Sequence, residues 1–317
     1  MRAYLFPGQG SQYVGMGREA YLINGGVRDI LDRADAILGR QLTGIMFEGP
    51  EEELRQTRNA QPAIFLHSYA TYQTLASPAP DMAAGHSLGE YTALTVAGVI
   101  TFEDALRLVQ LRADSMQDAG AANAGTMAAI IGLDDAAIGT ICCKVWEEVG
   151  VVQSANFNSP GQVVISGAVP AVLEAMARAK DAGARMVKQL SVSGAFHSPL
   201  MEPARERLGA ALAETQFRDA DFPVYVNVSG EPLRAADEIR EALLKQLTAP
   251  VRWSETIQRM AADGATEFIE VGPGTVLQGL VKRIVAGAST SGIETPEQID
   301  AFNAANAANE GDSAGVG

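Results

Sequence analysis

Ala84-Gly85-His86-Ser87-Leu88-Gly89-Glu90 is the stretch from which the rest of the chain is read. It contains G-x-S-x-G, the pattern of a serine held on a sharp strand-to-helix turn. The flanks agree: Met82-Ala83-Ala84 is a short apolar run after the breakers Pro78 and Pro80, and Tyr91 to Ala97 reads as a buried helix. A serine turned outward there strains the backbone and draws strand and helix together, so a side chain at 85 or 89 would collide. The N–H of Leu88, in the first helical turn, lacks an intrahelical partner and can point at a developing oxyanion.

Upstream, Ala3 to Phe6 reads as a strand stopped by Pro7-Gly8-Gln9-Gly10-Ser11-Gln12. The glycines on either side of Gln9 allow a close backbone approach. Neither G-x-G-x-x-G nor G-K-[ST] is present, so the run is neither a dinucleotide fingerprint nor a P-loop. Tyr13 to about Leu75 is helical, with breaks expected near Gly25-Gly26, Gly49-Pro50 and Gln61-Pro62, and His67 reads as a packing residue. Downstream, Thr101-Phe102-Glu103-Asp104 caps a helix on which Leu108, Leu111, Ser115 and Met116 share a face. Arg112 sits at the edge of that stripe, where an arginine is ordinarily a solvated charge.

From Thr126 the order becomes strand (to Leu133), helix (Ala137–Val149), strand (Val151–Phe157), strand (Gln162–Ser166), helix (Ala171–Ala182) and strand (Arg185–Val192). This is the ferredoxin-like β-α-β-β-α-β pattern. Ile138, Ile141, Cys142, Val145, Trp146 and Val149 form one helical stripe, which buries Cys142 and turns Cys143 outward. After residue 193 strands and helices alternate to Ile284, as in a parallel sheet flanked by helices. The chain therefore reads as an α/β-hydrolase-like core (1–124 and 193–285) carrying a ferredoxin-like insert (125–192). Residues 286–317 contain five acidic and no basic side chains and read as a disordered acidic tail with a short helix near Ile299.

With 317 residues and 47% hydrophobic content the chain can bury a large core. A net charge of −14 argues against nonspecific nucleic-acid binding. Adjacent Cys142 and Cys143 make neither a disulfide nor a zinc site. The N-terminal apolar run is too short for a signal peptide and no run of membrane-spanning length occurs, so a cytoplasmic location is expected.

Taken together, Phe6 to Gln12, Gly85 to Glu90, Arg112, Asn156 to Gln162, His197 and Glu270-Val271-Gly272-Pro273-Gly274 resemble the malonyl-CoA:acyl carrier protein transacylases of fatty acid and polyketide synthesis. The resemblance runs from about Met1 to Ile284. It implies a ping-pong transfer through a Ser87 ester, with His197 as general base and acid. A histidine titrating near its ordinary value of about 6.5 suits that shuttle. It further implies that the backbone carbonyl of Gln246 orients the imidazole and that the N–H groups of Gln9 and Leu88 form the oxyanion hole. Arg112 becomes the partner of the malonyl carboxylate, and bulky Phe196, beside His197, disfavours an α-methyl group. No metal or cofactor is implied beyond the phosphopantetheine of the carrier protein, nor any nucleic-acid or membrane partner, and a monomer is expected.

Two other readings compete: an acyl-thioester hydrolase or esterase using the same Ser-His pair, and a noncatalytic module of similar shape. Between Ser87 and His197 the acidic residues Asp134, Asp135, Glu174 and Asp181 all fall in the insert, unlike the triad order of the hydrolases. Asn156 and Asn158 suit either an Asx turn or a substrate contact. Arg178, Lys180, Arg185, Lys188, Lys282 and Arg283 are either scattered solubilising charges or a local basic region for an acidic carrier protein.

Overall fold

The computed structural model describes residues 1–76 and 79–314, so Pro78 lies outside the described residues. Two sheets organise the chain. The larger combines β1 (Arg2–Phe6), β2 (Met82–Gly85), β7 (Val224–Tyr225), β8 (Pro232–Leu233), β9 (Glu267–Val271) and β10 (Ser289–Ile293) in the order β10-β9-β1-β2-β7-β8. All neighbours are parallel except the β7–β8 edge pair. Side chains of central β1 alternate between two apolar layers, Tyr4 and Phe6 entering one and Ala3 and Leu5 the other. Helices cover both faces, which is why these strands read as continuous apolar runs.

The smaller sheet is antiparallel and joins β3 (Gly125–Ile131), β4 (Val152–Ser159), β5 (Gln162–Ala168) and β6 (Met186–Gln189) in the order β4-β5-β3-β6. One face packs on helices Asp135–Glu148 and Val169–Asp181 through Ile130, Ile138, Cys142, Val145, Ile165 and Val172. Met127 and Val164 on the other face join the main core. Cys142 is buried and Cys143 exposed, as the stripe required. The stripe is narrower than expected, however: Trp146 and Val149 are exposed and take no part in the core that this helix forms with the small sheet. The Asn156–Val251 bridge ties the small sheet to the core.

Two further expectations need correction. No break occurs at Gln61-Pro62, since helix Thr57–Gln73 runs through Pro62. Proline cannot donate to the carbonyl four residues back, at Arg58, and Arg40 Nη2 (3.0 Å) and Gln110 Nε2 (3.3 Å) donate to that oxygen instead. The expected disordered tail is also largely ordered. Ser289–Ile293 pairs with β9, and helix Pro296–Ala314 follows. That helix docks through buried Ile299, through Phe302 beneath the Arg2 guanidinium, and through Asn303, which bonds Thr74 and Ala76. A composition without basic residues does not reveal that these few contacts suffice. The last three residues of the expected tail, 315–317, lie outside the described residues.

Candidate active site

Phe6 and Gly85 are register partners at the C-terminal ends of β1 and β2, so the loops that follow emerge side by side. Ligands bind at this edge of a parallel sheet. Packing at the turn is as tight as the sequence required. A Cβ on Gly89 would meet Phe6 O at 2.1 Å, and one on Gly85 would meet Gly89 C at 1.9 Å. Ser87 takes a φ of 52° at the apex.

The Ser87 hydroxyl lies 2.8 Å from His197 Nε2, and His197 Nδ1 lies 2.9 Å from Gln246 O. A carbonyl can only accept, so Nδ1 carries the proton and Nε2 presents its lone pair to the hydroxyl. Arg112 is fully buried. Its Nη2 donates to Ser87 Oγ (3.0 Å) and Gln246 Oε1 (3.0 Å), and its Nη1 to Gln61 Oε1 (2.6 Å). A cavity of about 300 Å³ contains Gln9, Ser87, Leu88, Arg112, Phe196 and His197 in its wall. Gln246 is not in that wall, and its carbonyl reaches the cavity only through the imidazole. The face of the small sheet bearing Met127 and Val164 forms an apolar side of the cavity. Asn158 is also in the wall, and its Oδ1 lies 2.9 Å from His86 Nε2.

One expectation fails on electrostatics. Burial first, and the adjacent Arg112 cation second, push His197 down to about 3, against the Gln246 carbonyl, which favours the charged form. The free site therefore holds a neutral imidazole across the whole neutral range, not one titrating near 6.5. Glu90, fully buried behind the serine, is pushed up to about 7 by burial, against the Asn227 N–H, Gln246 and Arg112.

Several polar groups at the site carried no sequence signal. Gln61 and the Gln246 side chain fix the guanidinium, and Gln246 Nε2 donates to Ser87 O at 3.0 Å. Asn227 and Gln153 grip the backbone of Ser87 and His197. Neutral carboxamides have no diagnostic spacing; only Gln61, beside a proline in a buried helix, offered a hint. Among the basic candidates, Arg178 is paired with Glu148 and Glu174. Arg185 and Arg283 flank a hollow that shares Gln162 with the main cavity, and Arg283 Nη1 donates to Gln162 Oε1 at 2.6 Å.

Residues 3–299 match the acyl transferase domain family. The malonyl CoA-acyl carrier protein transacylase of Bacillus subtilis is 45% identical over 300 residues, covering 94% of this chain and 95% of that protein. The acyl-carrier-protein S-malonyltransferase of Bartonella henselae superposes with a TM-score of 0.92 at 39% identity, over 96% of this chain and 99% of that one. A malonyl-transacylase solved with its type II polyketide acyl carrier protein gives 0.91 at 40% identity, over 96% and 99%. The match continues past Ile284 into the ordered C-terminal segment. The chain belongs to the acyl transferase domain family, among its malonyl CoA-acyl carrier protein transacylases.

Proposed function

We propose that the chain transfers malonyl from malonyl-CoA to the phosphopantetheine thiol of an acyl carrier protein, in a ping-pong sequence through a Ser87 ester. The observation that carries this reading is the meeting of three groups in one cavity: a serine hydroxyl, a neutral imidazole 2.8 Å away, and a buried guanidinium 3.0 Å away. The malonyl carboxylate would pair with Arg112, for which a guanidinium offers two parallel N–H donors. Ser87 Oγ attacks the thioester carbon while its proton passes to His197 Nε2. The carbonyl oxygen becomes an oxyanion facing the N–H groups of Gln9 and Leu88. Collapse expels the CoA sulfur, which takes the proton from His197. The carrier thiol then gives its proton to the same nitrogen and attacks the ester, and the departing Ser87 Oγ takes that proton back from His197 Nε2.

Pairing with the substrate carboxylate offsets the Arg112 charge that depresses His197. A bound malonyl group therefore makes the imidazole a stronger base than an acetyl group would. The carrier protein would dock beside Arg185 and Arg283, at the hollow that shares Gln162 with the cavity.

Intact-mass analysis after mixing with malonyl-CoA tests the reading. The expected result is a malonyl adduct in the wild type, absent in Ser87→Ala, that is chased onto holo carrier protein. Rapid malonyl-CoA hydrolysis indifferent to carrier protein would refute transfer, and absence of any adduct would refute the acyl-enzyme.

A further inference from the structure

Among the described residues only two non-glycines hold a positive φ: Ser87 at 52° and His197 at 55°. Side chains disfavour this left-handed region, so neither conformation is maintained by its own local preference. Each is met by a carboxamide from a remote segment, in addition to the Gln246 side chain that bonds Ser87 O. Asn227 is fully buried; its Oδ1 accepts from Ser87 N at 2.7 Å and its Nδ2 donates to Gly85 O at 2.7 Å. One planar group thus grips the backbone on both sides of His86. The Asn227 N–H donates to Glu90 Oε2 at 2.7 Å, which anchors the grip to the helix after the turn. Gln153, on β4, does the corresponding work at the imidazole. Its Nε2 donates to His197 O at 2.8 Å and to Thr248 O at 3.2 Å, joining the histidine's own peptide to the segment that carries the Gln246 carbonyl.

We propose that Asn227 and Gln153 are positioning residues that hold Ser87 Oγ and His197 Nε2 in register for proton transfer. Neither is in the wall of the cavity or bonded to Arg112, so they act on the reacting pair and not on substrate binding. The inference presupposes the Ser87 acyl-enzyme proposed above.

Rapid-quench acylation by malonyl-CoA without acceptor, with folding checked by circular dichroism, separates these roles. In Asn227→Ala and Gln153→Leu the acylation rate constant is expected to fall on the order of 10- to 100-fold. The half-saturating malonyl-CoA concentration should stay within about threefold. Asn227→Asp supplies a nearly isosteric third variant. Its ionised carboxylate accepts from Ser87 N but offers Gly85 O no donor, whereas its protonated form does both. Its rate relative to wild type should therefore rise as pH falls. Glu90 faces this position from the helix, with Arg112 and His197 across the turn, and all three are common to both proteins. Folded variants with wild-type rate constants, or an N227D ratio indifferent to pH, would overturn the positioning role. A wild type that forms no adduct would overturn the acyl-enzyme itself, and this inference with it.

Discussion

Replacing Arg112 by alanine removes a fully buried cation that contacts Gln61, Gln246 and Ser87 Oγ and lies 5.6 Å from the Tyr91 ring centre. Each hydrogen bond between a guanidinium and a carboxylate contributes about 1.5–3 kcal/mol. Losing a bidentate pair therefore raises the barrier for malonyl-CoA by about 3–6 kcal/mol, a fall of about 10²–10⁴ in kcat/KM. Acetyl-CoA has no carboxylate to lose. For it the same substitution removes a charge that depresses His197, so acetyl transfer should hold or improve. Steady-state kcat/KM for both thioesters, with thermal melts to establish folding, measures the difference. Parallel losses for the two substrates would show that Arg112 acts as a structural cation and would refute the carboxylate assignment.

With His197 pushed down to about 3 in the free protein, the imidazole stays neutral through the mildly acidic range. The acid limb of kcat/KM for acetyl-CoA, which carries no titrating carboxyl of its own, should therefore lie well below the ordinary histidine value of about 6.5; a limb near that value would contradict the burial argument. Glu90 gives a stability signature of opposite sign to the histidines. Its raised value means that the folded state holds a proton between 4.5 and about 7 that the unfolded chain has released, so stability falls as pH rises through that interval. Glu90→Gln should remove a decline on the order of 3 kcal/mol, visible as a pH-dependent difference in denaturation midpoint between variant and wild type. Trimming Phe196, which is in the cavity wall, to alanine should improve methylmalonyl-CoA relative to malonyl-CoA by about 10- to 200-fold, measured as the ratio of kcat/KM values. An unchanged ratio would place acyl selection elsewhere in the cavity.

Residues 84–90 make the serine turn legible because the constraint there is local and steric: only glycine tolerates the approach of Gly85 and Gly89 to neighbouring backbone. The alternation of strands and helices, and the β-α-β-β-α-β order of the insert, were legible for a similar reason, since periodicity reports which face is buried. Arg112 was different. Its neighbours along the helix suggested a solvated edge, and only the resemblance to a family moved it indoors. The order of the C-terminal segment is not legible in its composition because its docking depends on Arg2 and Thr74, residues more than two hundred positions away.

What the sequence determined by itself, then, was the two-part α/β architecture and the serine turn, each dictated by contacts between near neighbours or by repeating burial. Tertiary structure decided how residues 87, 112, 197 and 246, which the resemblance had only implied together, meet, and it alone showed that Gln61, Gln153 and Asn227 brace them and that His197 is held neutral. Desolvation and the reach of a neutral carboxamide depend on which distant segments pack together, and no local pattern in the chain encodes that.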